Sequence, residues 1–391
     1  MSKLVLFHCV NGMGLGHLSR MLAIADMLRK QHSQPMVTFM TSAEEHTWLR
    51  NSGIPYYYLP SEARFRYTWS VNDDEIGEEI RKESAPDGLN DAIFKVLINH
   101  LAPSVVVFDT YFSPDKISVC VNFGAVPMAF FDNCDLLDVH MSEINAVRSQ
   151  GGHLLFGINK CEKWPFDGVK KIHKVGRIVK HINSDRFELA NSINKGRKFP
   201  HIICVQGGGG FRKENSTFYK RNPSFIHVIV NALESILNTG LRFTATIVLG
   251  PYGRWTDKIP QPKWAEILKF EPNLPSFLLK ADMMISTGGY NAVSDSMAAC
   301  CPSIFLPIRE ATENQESHVK WLVENGAAIS VMHSQEEISL EVHKLLTNPS
   351  ILNQMKLNLS RCERLSDGIQ GSVKVIEDVL FKNSHCGGSN L

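Results

Sequence analysis

Two stretches of this sequence, one in each half, share an order of residues that few architectures accommodate: a short apolar run, a glycine-rich turn, then small and apolar residues at helical spacing. The second is the clearer. Met283, Met284 and Ile285 form the run, Ser286-Thr287-Gly288-Gly289 the turn, and Ala292, Val293, Met297 and Ala298 one face of a helix. In the first, Leu4-Val5-Leu6-Phe7 leads into His8-Cys9-Val10-Asn11-Gly12-Met13-Gly14-Leu15-Gly16-His17, and Leu18, Met21, Leu22, Ile24, Ala25 and Leu28 mark the helix. Strand, glycine turn and helix open a parallel α/β unit. At 391 residues the chain is too long for one core of usual size, so the pattern predicts an α/β protein of two Rossmann-like, doubly wound domains facing across a cleft.

The turn at residues 286–289 has a chemistry of its own. Glycines let backbone N–H groups approach a ligand, and the first helical turn carries unpaired donors and about half a positive charge. A diphosphate is the natural tenant. Asn291 and Asp295 are four apart and share one helix face, where the carboxylate can accept two hydrogen bonds from a ribose diol. The alternative is an ordinary crossover whose glycines only make the turn tight.

TGGYNAVSD, residues 287–295, resembles the donor-binding signature of the two-domain GT-B glycosyltransferases, which use nucleotide-activated sugars. Phe270-Glu271-Pro272-Asn273 is similar to the opening of that segment in the plant small-molecule enzymes, and Asn314-Gln315 to its closing pair. The resemblance implies that Phe270 stacks on uracil with Glu271 beside it, that Thr287, Gly288, Gly289, Tyr290 and Asn291 hold the diphosphate, that Asp295 takes the ribose, and that Asn314 and Gln315 read the sugar hydroxyls. Thr287 stands where the plant enzymes carry a phosphate-binding histidine, and Asp295 replaces the commoner glutamate. The bacterial peptidoglycan N-acetylglucosaminyltransferase is similar over both halves.

In the first half a dinucleotide fingerprint would need a sixth-position glycine where His17 stands, and no acidic residue clearly ends the next strand, residues 36–40. An NAD-dependent dehydrogenase therefore ranks below a transferase. The loop instead resembles the acceptor-side loop of GT-B enzymes, in which a glycine-histidine pair, here Gly16-His17, opens the first helix; Gly14 and Gly16 then line the acceptor cleft. A histidine with an ordinary pKa near 6.5 suits proton abstraction from a hydroxyl. Asp109 follows the apolar run of residues 103–108, at the carboxyl end of a strand and so on the rim where His17 stands, and the resemblance makes it the partner that fixes the tautomer of the base. His17 as a phosphate contact and Asp109 as a cap or turn residue are the alternatives. Residues 124–131 read as a further strand, after which Asn133 resembles an asparagine of the acceptor cleft in the peptidoglycan enzyme. Residues 56–86, with Arg64, Phe65, Tyr67 and Trp69, have no clean period and are either a wall of the acceptor site or a solvated loop.

Residues 1–170 are thus expected as the acceptor domain and 171–365 as the nucleotide-sugar domain, with 366–391 a helix crossing back to the first domain and a polar tail. The second domain opens with a strand at 201–205 and a four-glycine loop in which Gly207 and Gly208 lie beside the diphosphate in the family; Arg212 and Lys213 follow, and Lys180 stands where the peptidoglycan enzyme has an arginine near the phosphates. A strand at 244–249, a helix at 335–348 and a final helical segment at 351–381 complete the pattern.

Balanced charge, 41 basic against 40 acidic residues, leaves no net field to attract nucleic acid or an anionic membrane. Nine cysteines without metal-ligand spacing, with Cys9, Cys204 and Cys300 in apolar segments, point to free thiols. No apolar run approaches a membrane span and no cleavage site is visible, so the expectation is a soluble cytoplasmic enzyme, touching a membrane peripherally if its acceptor is a lipid. No DxD motif lies in a suitable loop, and no metal or cofactor is expected besides the nucleotide sugar, with UDP the implied nucleotide. The expected reaction is a single inverting displacement onto a hydroxyl. A nucleotide-sugar 2-epimerase or hydrolase, or a non-catalytic sensor, are the rival readings.

Overall fold

In the computed structural model, which describes residues 3–9, 15–43, 47–59, 88–110, 112–132, 137–158, 164–180, 182, 197–207, 225–250, 261–307, 314–364 and 367–382, the apolar runs pair throughout in parallel. Two units result, Met1–Ile178 with Asp367–Leu391, and Val179–Ser366.

The first unit runs β1 (Leu4–Cys9), α1 (Gly16–Arg29), β2 (Met36–Thr41), α2 (Thr47–Ser52), β3 (Tyr56–Tyr58), α3 (Leu89–Leu101), β4 (Val105–Asp109), α4 (Pro114–Asn122), β5 (Val126–Phe131), α5 (Met141–Ser149), β6 (His153–Phe156) and β7 (Ile172–Lys174). Its strands lie in the order β3-β2-β1-β4-β5-β6-β7. The register sets Val5 opposite Val105 and His8 opposite Phe108. Because β7 still pairs with β6, the first unit extends past residue 170, the limit the sequence pattern suggested, to Ile178.

The second unit runs β8 (His201–Val205), α6 (Phe225–Asn238), β9 (Thr244–Val248), β10 (Ala265–Leu268), α7 (Leu274–Leu278), β11 (Met283–Ser286), α8 (Tyr290–Ala298), β12 (Ser303–Phe305), α9 (Gln315–Glu324), β13 (Ala328–Ser330), α10 (Gln335–Thr347) and α11 (Pro349–Arg364). The sheet order β10-β9-β8-β11-β12-β13 repeats the winding of the first. Successive strand residues enter opposite layers: Ile202, Cys204, Met283 and Ile285 pack against α6 and α10, whereas Ile203, Val205, Met284 and Phe305 meet α8 and α9. Burial on both faces explains why these strands read as unbroken apolar runs, each large side chain contributing about 1.5–3 kcal/mol. Cys9 and Cys204 are core thiols, but Cys300 is only half-buried, on a backbone turned to φ +46° after α8.

The stretch 351–381, expected as one helix, is two. After α11 a second helix, α12 (Gly368–Lys382), belongs to the first unit. It packs on α1 and β4, burying Val373, Ile376 and Leu380. Its first turn lies directly on the main chain of Val175, Gly176 and Arg177: Gly368 N–H donates to Arg177 O at 3.1 Å, and a Cβ on Gly371 would stand 2.6 Å from Val175 O. Only glycine at 368 and 371 permits so close an approach. Gly371→Ala should lower stability by about 1–3 kcal/mol through overpacking, read as a lower urea midpoint with early proteolysis of α12. An unchanged midpoint would show that the contact yields at no cost.

Candidate active site

In each unit the strand order reverses once, and that is where an open α/β sheet leaves a crevice at its carboxyl edge. In the first unit the reversal lies between β1 and β4, from which the chain winds outward in opposite directions. His17 is the second residue of α1, whose N-terminus has no capping side chain; Asp109 is the last residue of β4. His17 Nδ1 stands 3.1 Å from Asp109 Oδ1, with the imidazole 15% exposed and the carboxylate fully buried.

A third group, Arg20, shares this carboxylate. One helical turn after His17 and only 2% exposed, it donates from Nε to Asp109 Oδ2 at 2.8 Å and from Nη2 to Asp109 Oδ1 at 2.5 Å. Its Nη1 donates to Asp132 Oδ2, just beyond β5, at 2.5 Å. Nη2 also lies 2.9 Å from His17 Nδ1 and 3.3 Å from Thr110 Oγ1, and the guanidinium faces the Phe130 ring. Burial pushes the Asp109 carboxyl up, but Arg20 and then His17 outweigh it and hold it below the usual carboxylate range. The neighbouring Cys9 thiol is driven up, first by burial and then by Asp109, and is no nucleophile. Thr110 turns the chain out of β4 at φ +58°, an uncommon conformation for a β-branched residue, and its hydroxyl lies within hydrogen-bond reach of both Asp109 Oδ1 and Phe130 O.

In the second unit the reversal lies between β8 and β11. Here the turn after β11 and the turn after β8 adjoin: Gly207, at φ +86°, would bring a Cβ to 4.0 Å from Thr287 Oγ1. Gly289 precedes α8 with no side-chain cap, so the first turn of this helix presents its main chain at the strand edge. Around it, Gln206 Oε1, Ser286 Oγ, Asp295 Oδ1 and Asn314 Oδ1 are buried without a hydrogen-bond partner among the described residues. The Asp295 carboxyl is raised by burial against the pull of Lys180, whose Nζ is 3.6 Å from Oδ1, an ion-pair distance too long for a hydrogen bond. Buried polar groups are ordinarily paired; four orphans around one helix N-terminus mark a place built for a polar ligand.

Both units carry the same architecture at these edges, and comparison with known proteins agrees. Residues 202–370 match the glycosyltransferase family 28 C-terminal domain. The UDP-N-acetylglucosamine--N-acetylmuramyl-(pentapeptide) pyrophosphoryl-undecaprenol N-acetylglucosamine transferase of Alkaliphilus metalliredigens is 24% identical over 87% of this chain and 90% of its own. A glycosyltransferase of Methanosarcina mazei is 22% identical over 98% of both. In fold, the spinosyn forosaminyltransferase superposes with a TM-score of 0.67 at 14% identity, covering 97% of this chain and all of the other. The chain is a GT-B glycosyltransferase.

Of the residues the sequence marked in this glycosyltransferase, His17, Gly16 and Asp109 come together in the first unit, and Gly207, Thr287, Gly288, Gly289, Tyr290, Asn291, Asp295, Asn314 and Gln315 lie on or beside the strand edge of the second. Gly288, at φ +88°, also serves packing, because a Cβ there would stand 2.7 Å from Val319 Cγ2 on α9. The Tyr290 ring turns inward, edge-on to His318, leaving the helix its main chain to offer. Phe270 follows β10 at the sheet edge, and α7 carries its segment onto α8. Glu271 is engaged locally, accepting from the Asn273 N–H at 2.7 Å. Gly14, Asn133, Gly208, Arg212, Lys213 and the aromatic stretch 60–87 lie outside the described residues. Arg20 was not anticipated; its signal is a charged residue three after His17 and four before buried Ile24, on a face that continues into the core.

Gly288→Ala should cost about 2–5 kcal/mol, combining overpacking with a left-handed backbone. Val319→Ala should then be less damaging in that background than in the wild type, a coupling that chemical denaturation of the four proteins measures. Additive effects would mean that the two residues do not meet.

Proposed function

We propose that this glycosyltransferase moves a hexose or N-acetylhexosamine from a nucleoside diphosphate, with UDP the preferred nucleotide, to an acceptor hydroxyl, inverting the anomeric carbon. The observation that carries this reading is the His17–Asp109 contact of 3.1 Å, with the carboxylate buried and the ring reaching solvent. The acceptor hydroxyl gives its proton to His17 Nε2 as its oxygen attacks the anomeric carbon; the bond to the diphosphate oxygen breaks, and the nucleoside diphosphate leaves with that electron pair. Asp109 holds Nδ1 protonated and stabilises the imidazolium that forms. The unpaired groups around α8 support the donor site: the first-turn N–H groups take the growing phosphate charge, each such bond worth about 1.5–3 kcal/mol, Asp295 accepts from the ribose diol, and Asn314 and Gln315 meet the sugar. The helix dipole supplies the positive potential, so no metal is needed.

UDP as the nucleotide is supported by the name of the Alkaliphilus relative, which also carries a polyprenyl diphosphate acceptor. A lipid acceptor here would bring peripheral membrane contact to a cytoplasmic enzyme; no described helix is long and apolar enough to cross a membrane. A panel of nucleotide sugars in thermal shift identifies the donor, since a ligand at 100 times its Kd stabilises by about 2.7 kcal/mol. UDP release that depends on added acceptor separates transfer from hydrolysis or epimerisation.

His17→Ala should lower kcat by about 10²–10⁴-fold with nucleotide affinity nearly constant, and Asp109→Asn should reproduce much of that loss. Donor affinity falling in step with kcat would make His17 a phosphate contact instead. Asp295→Asn should separate binding from stability. Because burial raises the Asp295 carboxyl in the folded state, its contribution favours folding at low pH and is lost as pH rises through that raised value. The substitution should therefore raise Tm at neutral pH while weakening nucleotide binding; unchanged affinity in calorimetry would remove Asp295 from the site.

A further inference from the structure

The groups gathered at the β1–β4 edge do not balance in charge. Asp109 and Asp132 carry two negative charges, Arg20 one positive, and the cluster becomes neutral only when His17 takes a proton. Within the cluster, Arg20 alone contacts all the others: two N–H groups on the Asp109 carboxylate, one on Asp132, and Nη2 2.9 Å from the imidazole Nδ1. A fork of this geometry fixes the plane of a carboxylate as well as its charge. With both Asp109 oxygens engaged by Arg20, Oδ1 stays directed at His17.

The geometry points to Arg20 as a positioning residue of the transfer reaction, holding the Asp109 carboxylate against His17 Nδ1 while sharing its charge. This rests on the reading of His17 as the base. The other charged and titratable groups facing the pair are few among the described residues. Cys9 lies at the end of β1, with its thiol kept protonated by burial. The helix α12 meets α1 at Met27 through Gln370, and Ser33 beyond the end of α1 through Glu377, two turns and more past His17. Arg29 closes α1 and donates to Ser52 O at the end of α2. None of these offers Asp109 a second cation. Thr110 Oγ1, 3.3 Å from Nη2, gives the guanidinium another acceptor besides Nδ1, which leaves Nδ1 able to keep its proton for Asp109.

The test follows the ring and the reaction separately. In full-length protein with labelled histidine, the His17 ring signal is the one among 15 that His17→Gln removes, and its titration is read by NMR beside the pH profile of kcat. Arg20→Gln should move the ring's titration up by about one to three pH units, carrying the acid limb of kcat with it. Asp132→Asn, at a partly exposed position, should move it down, because the guanidinium then answers Asp109 alone. Arg20→Lys, which restores the charge without the fork, should bring the titration back towards wild type while kcat stays roughly ten- to a hundredfold low and KM little changed. Should Arg20→Gln not fold, Asp132→Asn decides: a ring titration unmoved or raised there overturns the proposal, as does an unmoved ring in Arg20→Gln, or Arg20→Lys with full kcat. A ring that moves while kcat ignores it would overturn His17 as the base but leave Arg20's hold on it standing. An acid limb abolished by His17→Gln, with a ring indifferent to Arg20, would do the reverse.

Discussion

Parallel pairing is the constraint on which this molecule rests. A parallel neighbour must be reached by a crossover, and crossovers are right-handed, so each sheet is covered on both faces by its own helices. The winding leaves one gap per sheet, between β1 and β4 and between β8 and β11, where successive crossovers depart to opposite sides. Side chains at those two carboxyl edges escape the helical layers. Buried polar side chains lie at both of these edges, Arg20 and Asp109 at the first and Ser286, Thr287 and Asp295 at the second.

The buried charges of the first edge illustrate how such a gap is held. An Arg–carboxylate pair out of water is weak grounds for stability, because desolvating two ions offsets most of their attraction. Removing one partner, however, strands the other, at about 3–5 kcal/mol. Asp109 is thus committed to Arg20 as firmly as to His17, and the left-handed Thr110 that turns the chain away from β4 adds local strain the surrounding contacts must hold. The second edge is arranged differently: apart from the long Lys180–Asp295 ion pair, the buried oxygens of Gln206, Ser286, Asp295 and Asn314 have no hydrogen-bond partner among the described residues.

Much of this was legible in the residues, and what was not has physical reasons. Strands buried on both faces appear as plain apolar runs, so β1, β4, β8 and β11 could be placed within a residue or two, and with them the edge where His17 and Asp109 meet. Arg20 was passed over because a lone arginine in an amphipathic helix ordinarily faces water; only the pull of two carboxylates from strands about 90 and 110 positions away turns it inward. Gly288 read as a ligand-facing glycine, yet its tightest neighbour is Val319, a contact set by the packing of α8 against α9 that no local pattern encodes. The seat of α12 is equally non-local, since Gly368 and Gly371 answer to Val175 and Arg177 across nearly two hundred residues of chain.

That last contact bears on the order in which the two units can complete their folding. The unit of residues 179–366 is continuous and lies between the two segments of the other, whose helix α12 is translated after it. On the ribosome the second unit has all its strands in hand while the first, synthesised earlier, still lacks the helix that covers α1 and β4. The earlier-made unit is therefore the later to finish, and until α12 arrives the apolar faces that Val373, Ile376 and Leu380 will cover remain open to water, or to a chaperone.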